Sequence, residues 1–283
     1  MELSKALTGL GCRQAVRLGV AACMLLSIGR SAAVEPPSHS QDDPNVVSPT
    51  SFVRDGRLDV NAVVDYFEDL YRADSSISTA QIKVIKPRRT KTMQLKIWTR
   101  GQDQALIVIQ APPREEGTAT LKVEDNLWNY FPRIRRTIRI PPSMMRSSWM
   151  GTDFTNDDLV RESSYEEDYF YKLVGRVKDP NGWLIRFTAK PETVGLWERF
   201  DLVVSPEGTI PILARYYDRK GRHARTMYWS DVQVFDGRRL PAHMKLVPED
   251  KEGEWTEMRY LDLDFNVEVP PSTFSLSELE RTR

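Results

Sequence analysis

The sequence predicts a mainly β protein with a few helices: one antiparallel sheet, barrel or sandwich of about a dozen strands. Three features carry this expectation. Short runs of alternating apolar and polar residues recur through most of the chain, Gly-, Pro- and Asp-rich turn chemistry separates them, and one strongly amphipathic helix precedes them all. A single β domain of roughly 220 residues is ordinary.

The helix is expected over 59–71. Asp59 can cap its first turn, and Val60, Val63, Val64, Phe67, Leu70 and Tyr71 fall at helical spacing on one face. Asp65, Glu68, Asp69 and Arg72 take the other face, so the helix must rest on something apolar. Strand-like runs follow at 80–85, 93–99, 105–110, 118–123, 126–131 and 134–140, then at 169–177, 183–189, 198–204, 210–218, 224–235, 242–247 and 257–265. Breakers such as "KPRRT", "APPREEG", "DPNG" and "FDGR" lie between them. Short connections predict a meander in which sequence neighbours pair. The middle is the exception. Pro141-Pro142 stops strand pairing, 142–150 reads as a short helix or loop, and Asp153 is the expected cap of a short helix over 156–161.

The start of the chain reads as an export signal. Lys5, Arg13 and Arg17 precede the apolar run 18–28, and Ser31-Ala32-Ala33 follows as a small-x-small site, so cleavage is expected after Ala33 and the protein is expected to leave the cytosol. The apolar run is short for a transmembrane helix. A second reading stays open: Val20-Ala21-Ala22-Cys23 loosely resembles a lipobox, which would anchor the chain through a lipid on Cys23. The expected organisation is a signal peptide at 1–33, a Pro/Ser/Asp-rich flexible linker at 34–58 and one domain at 59–283. Both cysteines, Cys12 and Cys23, fall in the signal segment, so the domain must rely on its core rather than on disulfides.

Without residues 1–33 the chain carries 36 basic and 39 acidic residues, against 40 of each in the whole. That balance argues against nucleic-acid binding. Reaction chemistry is equally hard to find. His223 and His243 are separated by twenty residues and lack Cys or HxxxH partners, so they read as polar surface. Asp153, Asp157 and Asp158 lack the spacing of a Ca²⁺ loop and suit a helix start. There is no GxSxG elbow and no catalytic cysteine. No enzyme, no cofactor and no metal are expected.

What remains is the stretch "WNYFPRIRRTIRIPPSMMRSSWMGTDF" at 128–154, with two tryptophans, three methionines and five arginines. Alternation places Trp128 and Tyr130 on one face of a strand and Leu127 and Phe131 on the other, as in a strand buried on both sides. In the next run Ile134, Ile138, Ile140 and Arg136 share a face opposite Arg135, Thr137 and Arg139. The arginines read either as a solvated row or as contacts for anionic groups, where the planar guanidinium is useful. Met144, Met145, Trp149 and Met150 read either as core or as an adaptable apolar binding surface.

The run "NLWNYFPRIRRTIRIPPSMMRSSWMGTDFTNDDL" resembles the bacterial outer-membrane lipoprotein-sorting family, relatives of the LolA carrier. The matching positions are Trp128, Tyr130, Pro132, Arg136, Met150, Gly151, Asp153, Phe154, Asp158 and Leu159, and "YRADSS" and "IKPRRTKTMQLKIWTRG" fit as well. The resemblance covers about 59–265. It implies a single curled antiparallel sheet forming an incomplete, half-open β-barrel covered by α-helices, with a concave side that shelters acyl chains. The expected acyl-binding set is Trp98, Trp128, Tyr130, Ile138, Met144, Met145, Trp149, Met150 and Phe154, with 144–154 as a movable cover. Arg135, Arg136 and Arg139 would meet headgroups or a protein partner. The implied function is a monomeric periplasmic carrier of lipid or lipoprotein acyl chains, working with an inner-membrane transporter of ABC or RND type. The alternative is a non-enzymatic sensing module that binds an envelope protein.

Overall fold

The computed structural model describes residues 48–71, 73–101, 103–160, 165–193 and 197–281. The signal segment, Cys23 and residues 34–47 of the lead-in lie outside them.

The described chain begins with a small hairpin, β1 (Val53–Arg54) and β2 (Arg57–Leu58), turning at Asp55-Gly56 with both residues in the left-handed region. An Asp-Gly pair is a strong hairpin signal, and the expectation of a flexible linker through residue 58 passed over it. α1 (Val60–Asp69) follows, and Asp59 accepts a hydrogen bond from the Ala62 amide at 3.2 Å, the cap expected from sequence. Val63, Val64 and Phe67 are buried, so the apolar face meets a core.

All thirteen remaining strands belong to one antiparallel sheet. The first group is β3 (Ser75–Lys86), β4 (Arg89–Arg100), β5 (Gln104–Ala111), β6 (Ala119–Val123), β7 (Asn126–Phe131) and β8 (Arg136–Arg139). The second is β9 (Tyr169–Lys178), β10 (Asn181–Ala189), β11 (Trp197–Val204), β12 (Pro211–Asp218), β13 (His223–Phe235), β14 (Arg238–Pro248) and β15 (Trp255–Phe265). Each group is a meander, as the short turns require. The first and last strands, β3 and β15, pair from Ser76↔Phe265 to Ile85↔Trp255 and join the two groups into one sheet. β8 and β9 are left as its two edges, so the sheet is not closed and is not a two-sheet sandwich.

β8 is shorter than the expected run 134–140. Phe131 and Pro132 carbonyls accept from the Ile134 and Arg135 amides, and Arg135 adopts φ 50°, so those two residues belong to the turn. Residues 140–160 and 165–168 lie between the two edge strands in sequence. They contain a 3-10 turn (Pro142–Met144), α2 (Asn156–Val160) and α3 (Tyr165–Asp168). The expected cap of α2, Asp153, is not its cap. Thr155 and Asp158 cap it reciprocally: the Thr155 amide donates to Asp158 Oδ2 at 2.8 Å and the Asp158 amide to Thr155 Oγ1 at 3.1 Å.

One face of the sheet, the core face, carries the main apolar cluster, with Ile82 and Val84 of β3, Leu95 and Ile97 of β4, and Ile185 and Phe187 of β10. The other, outer face carries a second apolar cluster across β5–β7. There Leu106, Val108, Leu121 and Tyr130 pack with Val269, Phe274 and Leu279 of the C-terminal segment. That segment ends in α4 (Leu276–Leu279), capped by Ser275, whose Oγ accepts from the Glu278 amide at 3.2 Å.

Candidate functional site

The candidate site is the core face together with residues 140–160 and 165–168, which cross it and are here called the strap. The strap folds back on itself before it crosses. The Trp149 amide donates to Phe154 O at 2.8 Å, the Asp157 amide to Met145 O at 2.8 Å, and Ser148 and Thr155 form an isolated bridge. A Pro-Pro break followed by small residues and Met150-Gly151, both at positive φ, allows this tight return.

From that compact loop the strap is fastened to successive strands. Trp149 is 1% exposed, and its indole Nε1 donates to Thr120 Oγ1 on β6 at 3.0 Å, while Thr120 donates to Asn129 of β7 at 2.7 Å. The Met150 carbonyl accepts from Lys91 of β4 at 3.2 Å. Asp153 accepts from Thr256 of β15 at 2.8 Å and from Lys251 at 2.9 Å, and its amide donates back to Thr256 Oγ1 at 2.9 Å. Asp158 accepts two bonds from Arg225 of β13, at 2.8 and 2.7 Å. The strap then lands on an aromatic cluster in which Tyr165 packs against Phe187 and Phe200, themselves stacked 4.3 Å apart.

In the Arg225–Asp158 pair, Arg225 is 7% exposed. Its guanidinium lies 4.4 Å from the Trp197 ring and 4.9 Å from that of Tyr216. Burial opposes ionisation of Asp158, but the Arg225 charge and the hydrogen bonds from Arg225 and Thr155 outweigh it and hold the carboxyl below its ordinary value. Burial pushes the Tyr216 phenol up to about 12.

α1 crosses nearer the opposite end of the sheet, where Asp69 O accepts from Arg238 at 3.5 Å. It meets the strap at Glu68, whose Oε1 accepts from the Tyr165 and Glu166 amides.

The residues expected to bind acyl chains do not share one face. Trp149 and Phe154 are buried in the core-face cluster, with Met150 packed partly against it. Met145 packs on Leu127 and Ile140, and Met144 is exposed. Ile138 pairs with Asn129 at the core-face edge and is exposed. Trp98, Trp128 and Tyr130 lie on the outer face, in register with Leu106, Leu121 and Ala119, under or beside the C-terminal segment. Arg135, Arg136 and Arg139 are exposed, and Arg139 donates to Asn126. Sequence reasoning missed Arg225, although the signal was present: it alternates with Met227 and Trp229, a charge placed on the apolar face of a strand. It also missed the C-terminal segment, marked by Val269, Phe274 and Leu279 around the Ser275 cap.

Among the described residues no helix is long and apolar enough to cross a membrane, and no group of three or more His, Cys, Asp or Glu could hold a metal ion.

Solved structures share this LolA-like fold. A DUF1329 family protein from Desulfovibrio piger is 24% identical, with a TM-score of 0.69 over 78% of this chain and 98% of its own. A putative outer membrane lipoprotein-sorting protein domain from Vibrio parahaemolyticus is 18% identical, with a TM-score of 0.65 over 79% and 100%. A LolA superfamily protein from Nitrosomonas europaea is 19% identical, with a TM-score of 0.63 over 77% and 98%. No curated protein matches the sequence. A family model described as "-like: Uncharacterized protein" matches residues 101–281, and the chain belongs to that family.

Proposed function

We propose that this protein is a periplasmic carrier that holds the acyl chains of a lipid or lipoprotein between the core face of a half-open barrel and its helical covering. It would move them between membranes or to an inner-membrane transporter. The observation that carries the reading is the strap itself. It lies over a large apolar face, into which it buries Trp149 and Phe154, and is otherwise held at separate polar points, Trp149–Thr120, Asp153–Thr256 and Asp158–Arg225, rather than by strand pairing. Sheltering an acyl chain from water is worth about 0.8 kcal/mol per CH₂, so a carrier needs an apolar interior. Polar fastenings can be exchanged for water as the strap lifts, which leaves the buried Trp149 and Phe154 as the apolar contacts that opening must separate.

The export signal expected at 1–33 and the fold shared with a putative outer membrane lipoprotein-sorting protein domain support the same reading. The test is mass spectrometry of gently purified protein. Co-purified phospholipid or lipopeptide, displaced by a fluorescent fatty-acyl probe, is the expected result. A consistently empty protein that takes up no probe and binds one envelope protein would replace transport with sensing.

A further inference from the structure

The edge strand β8 and the turns on either side of it also present a surface that faces away from the sheet's interior. Ile134 is 59% exposed at the tip of the β7–β8 turn, Ile138 is 44% exposed on the strand, and Met144 is 47% exposed in the 3-10 turn that follows. Arg133, Arg135, Arg136, Arg139 and Arg146 are all exposed among them. Between Asp125 and Asp153 the chain has no carboxylate side chain. Arg133, Arg135, Arg136 and Arg146 make no ion pair among the described residues, and the one acidic group found against the strand is Glu280, which accepts from Thr137. Arg135 at φ 50° closes the turn tightly and leaves Ile134 at its apex with an arginine on each side.

An apolar apex ringed by unpaired arginines on an uncovered sheet edge matches a layer with anionic groups outside and hydrocarbon beneath. We propose that β8 and its flanking turns are a docking surface for an anionic lipid bilayer, with Ile134 entering the headgroup boundary and Arg133, Arg135 and Arg136 on lipid phosphates. An acidic protein surface would satisfy the arginines but leaves the exposed isoleucines without a role, which favours lipid. The surface adds a place of contact with the membrane to the reading above and does not depend on acyl carriage.

The test is co-sedimentation of the purified protein with sucrose-loaded vesicles of phosphatidylcholine alone, or of phosphatidylcholine with phosphatidylglycerol. Binding to the phosphatidylglycerol vesicles, weakened by added salt, is expected. Each arginine near an anionic surface contributes about fivefold in affinity, so the triple variant Arg133→Gln, Arg135→Gln, Arg136→Gln should bind roughly a hundredfold more weakly. Ile134→Asp should weaken binding about tenfold with the arginines intact. The variants share one N-terminus, so any contribution from it cancels, and unchanged thermal unfolding shows that they fold. No binding to anionic vesicles, equal binding to both compositions, or variants that bind like the parent would each overturn the proposal. Acyl-probe uptake, measured without vesicles, reads the interior alone, so failure there leaves this surface standing and the reverse holds too.

Discussion

Arg225 on β13 and Asp158 at the start of α2 face each other through two parallel hydrogen bonds of 2.8 and 2.7 Å, joining the strap to a strand 67 residues away in sequence. The guanidinium is packed between aromatic rings, so the pair fixes where the strap crosses the sheet. Removing one partner leaves the other charge buried and alone, the costliest way to break such a pair.

Arg225→Met should therefore destabilise the protein by about 3–5 kcal/mol, while the double variant Arg225→Met, Asp158→Leu recovers much of the loss. Chemical denaturation of the two single variants and the double variant measures the coupling. Hydrogen exchange in Arg225→Met should accelerate across residues 140–160 before it does in β3 and β15. Uniform acceleration would mean that the strap opens only with the whole sheet.

Acid should act through the same pair. Asp158 is held below the carboxylate value of 3.8, so its contribution is fully present above pH 3.8 and is lost as pH falls through the lower folded-state value. The stability gap between the parent and Asp158→Asn should be constant at neutral pH and close below pH 3.8 in acid titrations of unfolding. Tyr216 acts at the alkaline end with the opposite sign. Its folded pKa of about 12 lies above the ordinary 10.0, so its contribution is complete below pH 10.0 and lost as pH rises toward 12. Phenolate absorbance should show Tyr216 ionising late along with the other buried tyrosines, Tyr71 and Tyr165 among them, and the difference spectrum against Tyr216→Phe isolates its share.

Trp149 and Met144 lie five residues apart in one motif but should respond differently to substitution. Trp149→Ala removes a buried ring and the bond to Thr120, with an expected loss of about 3–5 kcal/mol in thermal or chemical unfolding. Met144→Asp should stay within about 0.5 kcal/mol of the parent. The expectation that both belong to a loose cover would be restored if Trp149→Ala left stability unchanged.

The outer face supplies a control for the carrier reading. Phe274→Ala opens the cluster beneath the C-terminal segment and should cost about 3–5 kcal/mol. Because that cluster lies across the sheet from the strap, acyl-probe uptake by the folded fraction should not change. Lost uptake would move the candidate interior to the face of Trp98, Trp128 and Tyr130.

Local periodicity and turn chemistry determined much of this protein without tertiary information. Alternation marked a run for every strand of the large sheet, Asp59 and the 3–4 spacing after it marked α1, and Pro141-Pro142 marked where the meander must stop. Those signals are local because each depends on residues within one or two turns of each other. The Asp55-Gly56 hairpin was legible by the same rule and was obscured by the polar residues around it.

Which face of the sheet each aromatic would occupy was decided only in three dimensions. On β5 both faces are apolar, with Leu106 and Val108 on one and Ile107 and Ile109 on the other, so alternation separates the faces without saying what covers either. Trp149 and Trp128 accordingly read as one aromatic group and lie on opposite faces. The closing pair β3–β15, the Asp153–Thr256 bond and the Arg225–Asp158 pair likewise join residues remote in sequence. Their partners are chosen by the packing of the whole sheet, because a hydrogen bond or ion pair gains its energy from where the completed fold places its two ends.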